Sequence, residues 1–180
     1  MDERRLAAVF AADGEGQAKT STGYVVASRL LLTAAHAVEP AGKVEFQLID
    51  QPDSMPCAVI WNGCAHGLDA ALLEVDAPHW PSDVPQDPVR FGRLATLKPH
   101  APAETIGFPA AQRDADGELE TAHVYGYINP GDKLLSGRWV LSVAETSPGD
   151  LGSSPWTGIS GAPLFSDKLL CGVVVVSTGL

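Results

Sequence analysis

The chain has 180 residues, 45% hydrophobic and 19% charged. This is ordinary globular usage; it excludes a disordered or membrane-dominated chain and suffices to bury a core in one unit or two small packed halves. The formal net charge is -10 and the sequence pI about 4.7. With no basic cluster to offset this, unspecific attraction to nucleic acid or an anionic membrane surface is disfavoured, and neither is expected as a direct partner.

At the amino terminus, Leu6-Ala7-Ala8-Val9-Phe10-Ala11-Ala12 is too short an apolar run for a signal peptide and reads as a strand. No apolar run has the length to span a bilayer, the longest being broken by Arg29, His36 or Gly172. Cys57, Cys64 and Cys171 are odd in number, whereas small secreted domains pair their cysteines, so reduced thiols and a cytoplasmic location are expected.

Short β-branched or apolar runs separated by Gly, Pro, Asp and Asn, with hardly any helical periodicity, predict an all-β chain. Strands are expected over 6–11, 22–26, 30–33, 44–49, 58–61 and 70–75, forming one small barrel within residues 1–80. From Ala77 to Pro88 there are four prolines and no periodicity, which places a linker between barrels at 81–94. In the second half, 95–180, strands are expected over 103–106, 118–128, 139–143, 163–165 and 169–176.

Three segments carry chemistry. The first runs strand, turn, strand and then small residues into Leu32-Thr33-Ala34-Ala35-His36. Small neighbours let backbone and substrate approach an imidazole, the side chain best suited to proton transfer near neutral pH. Alone, His36 reads equally as a packed core histidine. In the second, Asp69 opens the apolar run Ala70-Ala71-Leu72-Leu73, expected to be buried on both faces. A carboxylate buried there needs a partner, such as an imidazole N–H; alone, Asp69 is a turn residue capping its own backbone. The third is Gly158-Ile159-Ser160-Gly161-Ala162-Pro163. A glycine two before the serine lets the amides of Gly158 and Ser160 converge on one point, as an oxyanion requires, and Gly161 leaves room for a scissile carbonyl. Its plain alternative is a Gly-Ser turn before a buried strand.

The order His, Asp, Ser separates these segments from other nucleophile designs. An α/β-hydrolase carries its histidine after the serine, but His36, His66, His79, His100 and His123 all precede Ser160. Cys57, Cys64 and His66 lack a compact C-x-x-C pair and a fourth ligand, so no metal site is expected.

Taken together, Leu32-Thr33-Ala34-Ala35-His36, Asp69-x-Ala71-Leu72-Leu73 and Gly158-x-Ser160-Gly161-x-Pro163 resemble the trypsin-like (chymotrypsin-fold) serine peptidases, as does Thr105-Ile106-Gly107-Phe108-Pro109. The resemblance spans nearly the whole chain. It implies two packed six-stranded Greek-key β-barrels with the active site in the cleft between them, and a catalytic triad of His36, Asp69 and Ser160. Gly158 and Ser160 would supply the oxyanion hole. Val175, Val176 and Ser177 would pair with an extended polypeptide substrate, and Ser154 would line the specificity pocket, favouring a small or apolar side chain. The implied activity is a serine endopeptidase working through an acyl-enzyme without a cofactor; a peptide-binding or assembly module without turnover is the alternative.

Three departures refine the resemblance. Ile159 stands where members activated by cleavage carry aspartate, so zymogen activation of that kind is not expected. Ala37 replaces the cysteine of secreted members, in keeping with a reducing compartment. Family members continue past the position of Leu180, so a truncated second barrel is expected, with sensor or regulatory domains fused beyond it. Such an arrangement resembles intracellular bacterial effector modules, including those of defence systems.

Overall fold

The computed structural model describes residues 1–12, 18–39, 42–75, 80–109, 112, 119–143 and 156–175. In the first half six antiparallel strands close into a barrel. These are β1 (Leu6–Ala12), β2 (Ala18–Ala27), β3 (Leu30–Thr33), β4 (Lys43–Leu48), β5 (Met55–Asn62) and β6 (Ala71–Val75), in the order β1-β2-β3-β6-β5-β4.

The apolar run of β1 follows from burial on both of its faces. Side chains alternate along a strand. Ala7, Val9 and Ala11 point into the barrel with Val25, Leu31, Phe46, Leu48 and Leu73. Leu6 and Ala8 face outward and join Tyr24, Val26, Phe108, Phe165 and Leu170 in a second cluster, which ties the barrel to the other half of the chain. The pairing Leu6↔Tyr24 sets both residues in that cluster.

In contrast, β6 is buried on one face only. Ala71, Leu73 and Val75 are buried, Leu72 is half-buried and Glu74 is exposed, which corrects the expectation of burial on both faces. The five-residue strand alternates with period two, and on its outer face Leu72 packs against the second cluster while Glu74 stays exposed.

The second half contributes β7 (Ala101–Gly107), β8 (Ala122–Ile128), β9 (Leu141–Val143), β10 (Pro163–Ser166) and β11 (Leu169–Val173), in the sheet order β11-β10-β7-β8-β9. Ala103, Ile128 and Leu164 form its own core, with Leu94, Trp139 and Leu141 packed against them. A closed six-stranded barrel beside this second sheet is the chymotrypsin-like two-barrel fold.

Between β6 and β7 the described residues contain one isolated bridge, Phe91↔Leu170. The segment is tied to both halves in turn. Val89 N–H donates to the Val26 carbonyl at 2.8 Å, and the buried Arg5 guanidinium donates to the Val25 and Asp87 carbonyls at 3.2 and 2.9 Å. Farther on, Leu170 N–H donates to Arg90 at 2.9 Å and Gly92 N–H to Leu170 at 3.0 Å.

Candidate active site

Strand register brings His36 and Asp69 together. β3 and β6 are antiparallel with Thr33 opposite Ala71, so the residues just beyond Thr33 meet those just before Ala71. His36 sits in a 3-10 turn, Ala35–Ala37, that directly follows β3. Ala34, Ala35 and Ala37 are buried, and their small side chains let this turn lie on the barrel while the imidazole stays 45% exposed.

The Asp69 carboxylate holds His36 at two points. Oδ1 accepts the His36 backbone N–H at 3.0 Å, and Oδ2 lies 2.7 Å from Nδ1. An ionised carboxylate only accepts, so the contact places the neutral imidazole's proton on Nδ1 and leaves Nε2 as the basic nitrogen. The loop before Asp69 is pinned by Gly63 N–H to the Ala70 carbonyl at 2.8 Å and Leu68 N–H to Gly63 at 3.0 Å.

Ser160 lies in the turn before β10 and is buried. Each peptide around it is tied down. The Gly158 carbonyl accepts from the Thr22 hydroxyl at 2.9 Å, and Ile159 N–H donates to Trp156 at 3.1 Å. The Ile159 carbonyl accepts from Ala162 N–H at 3.0 Å, the Ser160 carbonyl from Thr22 N–H at 2.8 Å, and Gly161 N–H donates to Val174 at 2.8 Å. Gly158 and Gly161 have φ of +95° and +91°, conformations that favour glycine. A Cβ on Gly161 would also collide with the Thr22 carbonyl and the Thr33 hydroxyl.

Sequence patterns singled out His36, Asp69, Gly158, Ser160 and Val175. The first two are bonded to each other, the next two share one constrained turn, and Val175 follows Val174, whose N–H donates to Ala162 at 2.8 Å. Ser154, Val176 and Ser177 lie outside the described residues. Thr22 and Thr33, both fully buried, join the Ser160 turn to the first barrel. Their sequence signal is faint: Thr33 falls inside the histidine motif, and Thr22 reads as an ordinary β-branched strand residue.

All three cysteines are unpaired thiols. Among the described residues no group of three or more His, Cys, Asp or Glu is arranged to hold a metal ion, and no helix is long and apolar enough to cross a membrane.

A family model of the trypsin-like peptidase domain matches residues 21–174. The chain therefore belongs to the trypsin-like peptidases and is a serine endopeptidase, a hydrolase acting on polypeptides. No curated protein matches it by sequence. Among solved structures, the active form of the Rv3671c protease from M. tuberculosis superimposes with a TM-score of 0.66 at 20% identity, covering 98% of this chain and 71% of that one. The serine endoprotease from Yersinia pestis gives a TM-score of 0.64 at 15% identity, over 97% of this chain and 54% of that one. The HtrA-type protease AlgW with tripeptide gives 0.62 at 16% identity, over 95% and 50%. The chain spans about half the length of these last two, and at such identities the likeness establishes the fold.

Proposed function

We propose that His36, Asp69 and Ser160 are the catalytic triad. The observation that carries this reading is the two-point grip of Asp69 on His36, which fixes the tautomer a general base needs. Ser160 Oγ attacks the scissile carbonyl carbon as His36 Nε2 takes its proton. The N–H groups of Gly158 and Ser160 hold the resulting oxyanion. The tetrahedral intermediate collapses as the imidazolium gives its proton to the leaving amine. Water, deprotonated by the same imidazole, then hydrolyses the acyl ester and regenerates Ser160.

The substrate is an extended polypeptide. Val174 uses both backbone groups on Gly161 and Ala162, so alternation turns those of Val175 toward the opposite edge, where a substrate strand can pair. The family resemblance assigns Val176 and Ser177 to the same substrate pairing and Ser154 to side-chain selection, and these three assignments rest on the sequence alone.

The setting we assign is an effector domain of a larger intracellular bacterial protein, with a place in defence among its uses. Three unpaired thiols favour a reducing compartment, and the similar structures extend beyond the length of this chain. Fluorescein-labelled casein tests the catalytic reading. Cleavage by the full chain, lost in both Ser160→Ala and His36→Ala, is expected; cleavage that survives Ser160→Ala would overturn it.

A further inference from the structure

The geometry points to Thr22 as a positioning residue that sets the nucleophile turn against the histidine strand, an inference resting on the assignment of Ser160 as nucleophile. Thr22 belongs to β2 of the first barrel, yet four hydrogen bonds radiate from it to the parts that must cooperate. Its hydroxyl donates to the Gly158 carbonyl at 2.9 Å and accepts Phe108 N–H, at the end of β7, at 3.0 Å. Its backbone N–H donates to the Ser160 carbonyl at 2.8 Å. Its carbonyl accepts the Thr33 hydroxyl at 2.7 Å, on the strand that leads three residues later into His36.

A single residue thus grips the turn on both sides of Ile159 and is itself gripped by the strand that presents the imidazole. All of this takes place without solvent, since Thr22 and Thr33 are both 0% exposed. The hydroxyl can serve two partners at once because it carries one donor and two acceptor sites. Valine has the same shape and neither function, and it would leave the Gly158 carbonyl without the Thr22 donor.

Contact is close over the whole turn. A Cβ on Gly107 would come within 2.7 Å of the Thr22 hydroxyl and 2.9 Å of Ile159 Cγ1, and Gly161 already excludes a Cβ on the other side. The Gly158 peptide therefore has little room to rotate while Thr22 holds it. Without the Thr22 hydroxyl the Gly158–Ile159 peptide keeps only the Ile159 N–H bond to Trp156, and a shift there is passed to the flanking peptides that carry the Gly158 and Ser160 N–H groups. Catalysis is sensitive to such shifts, since displacing a reacting group by about 1 Å can slow a reaction about 100-fold.

p-Nitrophenyl acetate, a small activated ester that acylates serine without filling a peptide-binding cleft, separates positioning from binding. With the full chain, Thr22→Val should lower the acylation rate constant about 10- to 100-fold while the half-saturating ester concentration stays within about 3-fold. Thr22→Ser, which restores the hydroxyl, should return the rate to within about 3-fold of the parent. Rates are normalised to the folded fraction, and Thr22→Ala replaces the valine variant if that variant does not fold. Parent-like acylation by a folded hydroxyl-less variant, or Thr22→Ser as slow as Thr22→Val, would overturn the proposal.

Ser160→Ala, run in parallel, should abolish the acyl burst. If the burst persists there, the nucleophile assignment fails, and amide exchange judges Thr22 by itself. Residues 156–162 should exchange about 10-fold faster in Thr22→Val than in Thr22→Ser; equal exchange would overturn the positioning role.

Discussion

Asp69 does two jobs with two oxygens, and only one of them depends on its charge. Asp69→Asn keeps the shape of the side chain, and its amide oxygen can still accept the His36 backbone N–H. Its NH2 group, however, would face Nδ1 as a donor and stabilise the tautomer with the proton on Nε2, the wrong nitrogen for a base. The expected outcome is a fall in kcat of about 10⁴-fold with an unchanged circular dichroism spectrum; a fall below about 10-fold would place the base elsewhere. Cys57 supplies a second prediction. Desolvation, followed by the nearby charge of Glu45, pushes its thiol from the ordinary value of 9.0 up to about 12. As pH rises from about 9 to about 12 the unfolded chain releases a proton that the folded chain keeps, so stability falls across that window. Cys57→Ala should flatten the decline of the melting temperature between pH 8 and pH 10.5, measured by thermal denaturation.

The elements differed in how much of them the residue pattern displayed. β3, with Leu30–Thr33, and β6 announced themselves as short apolar runs at the expected places. β5 is longer than its pattern suggested, starting at Met55 and containing Pro56, because its exposed flank tolerates residues that a fully buried strand would reject. The 3-10 turns at Ala35–Ala37 and Cys64–His66 were not visible at all; three residues are too few to establish a period. Nor did the pattern single out Arg5. An arginine at the start of an apolar run reads as a solvated charge, yet it is buried with its guanidinium on two carbonyls. The Asp87 side chain is 82% exposed, so the ion pair itself contributes little and the carbonyl contacts carry the effect. Arg5→Ala should therefore lower unfolding free energy by about 1–3 kcal/mol in urea denaturation. A loss under about 0.5 kcal/mol would show that the connecting segment is held by Val89 and its neighbours alone.

Across the whole molecule, the two halves communicate through two kinds of contact. One is apolar: Tyr24 of β2 meets Phe165 of β10 edge to face, with ring centroids 5.5 Å apart. The other is polar and centred on Thr22 and Thr33. Local sequence pointed to the proposed triad because histidine, aspartate and serine each sit in a distinctive setting. It could not reveal Thr22, because the value of that residue comes from partners 86 and 136 positions away, and such separations leave no local pattern. Ser160 is likewise the most exacting residue of the proposed triad to test, since it lies in the second half of the chain and His36 in the first. Reaction of the full chain with a fluorophosphonate, followed by tryptic peptide mapping in the mass spectrometer, tests its role directly. One phosphonyl group on Ser160, absent when His36 is changed to alanine, is the expected result. Stoichiometric modification of another residue, with Ser160 unmodified, would contradict the triad.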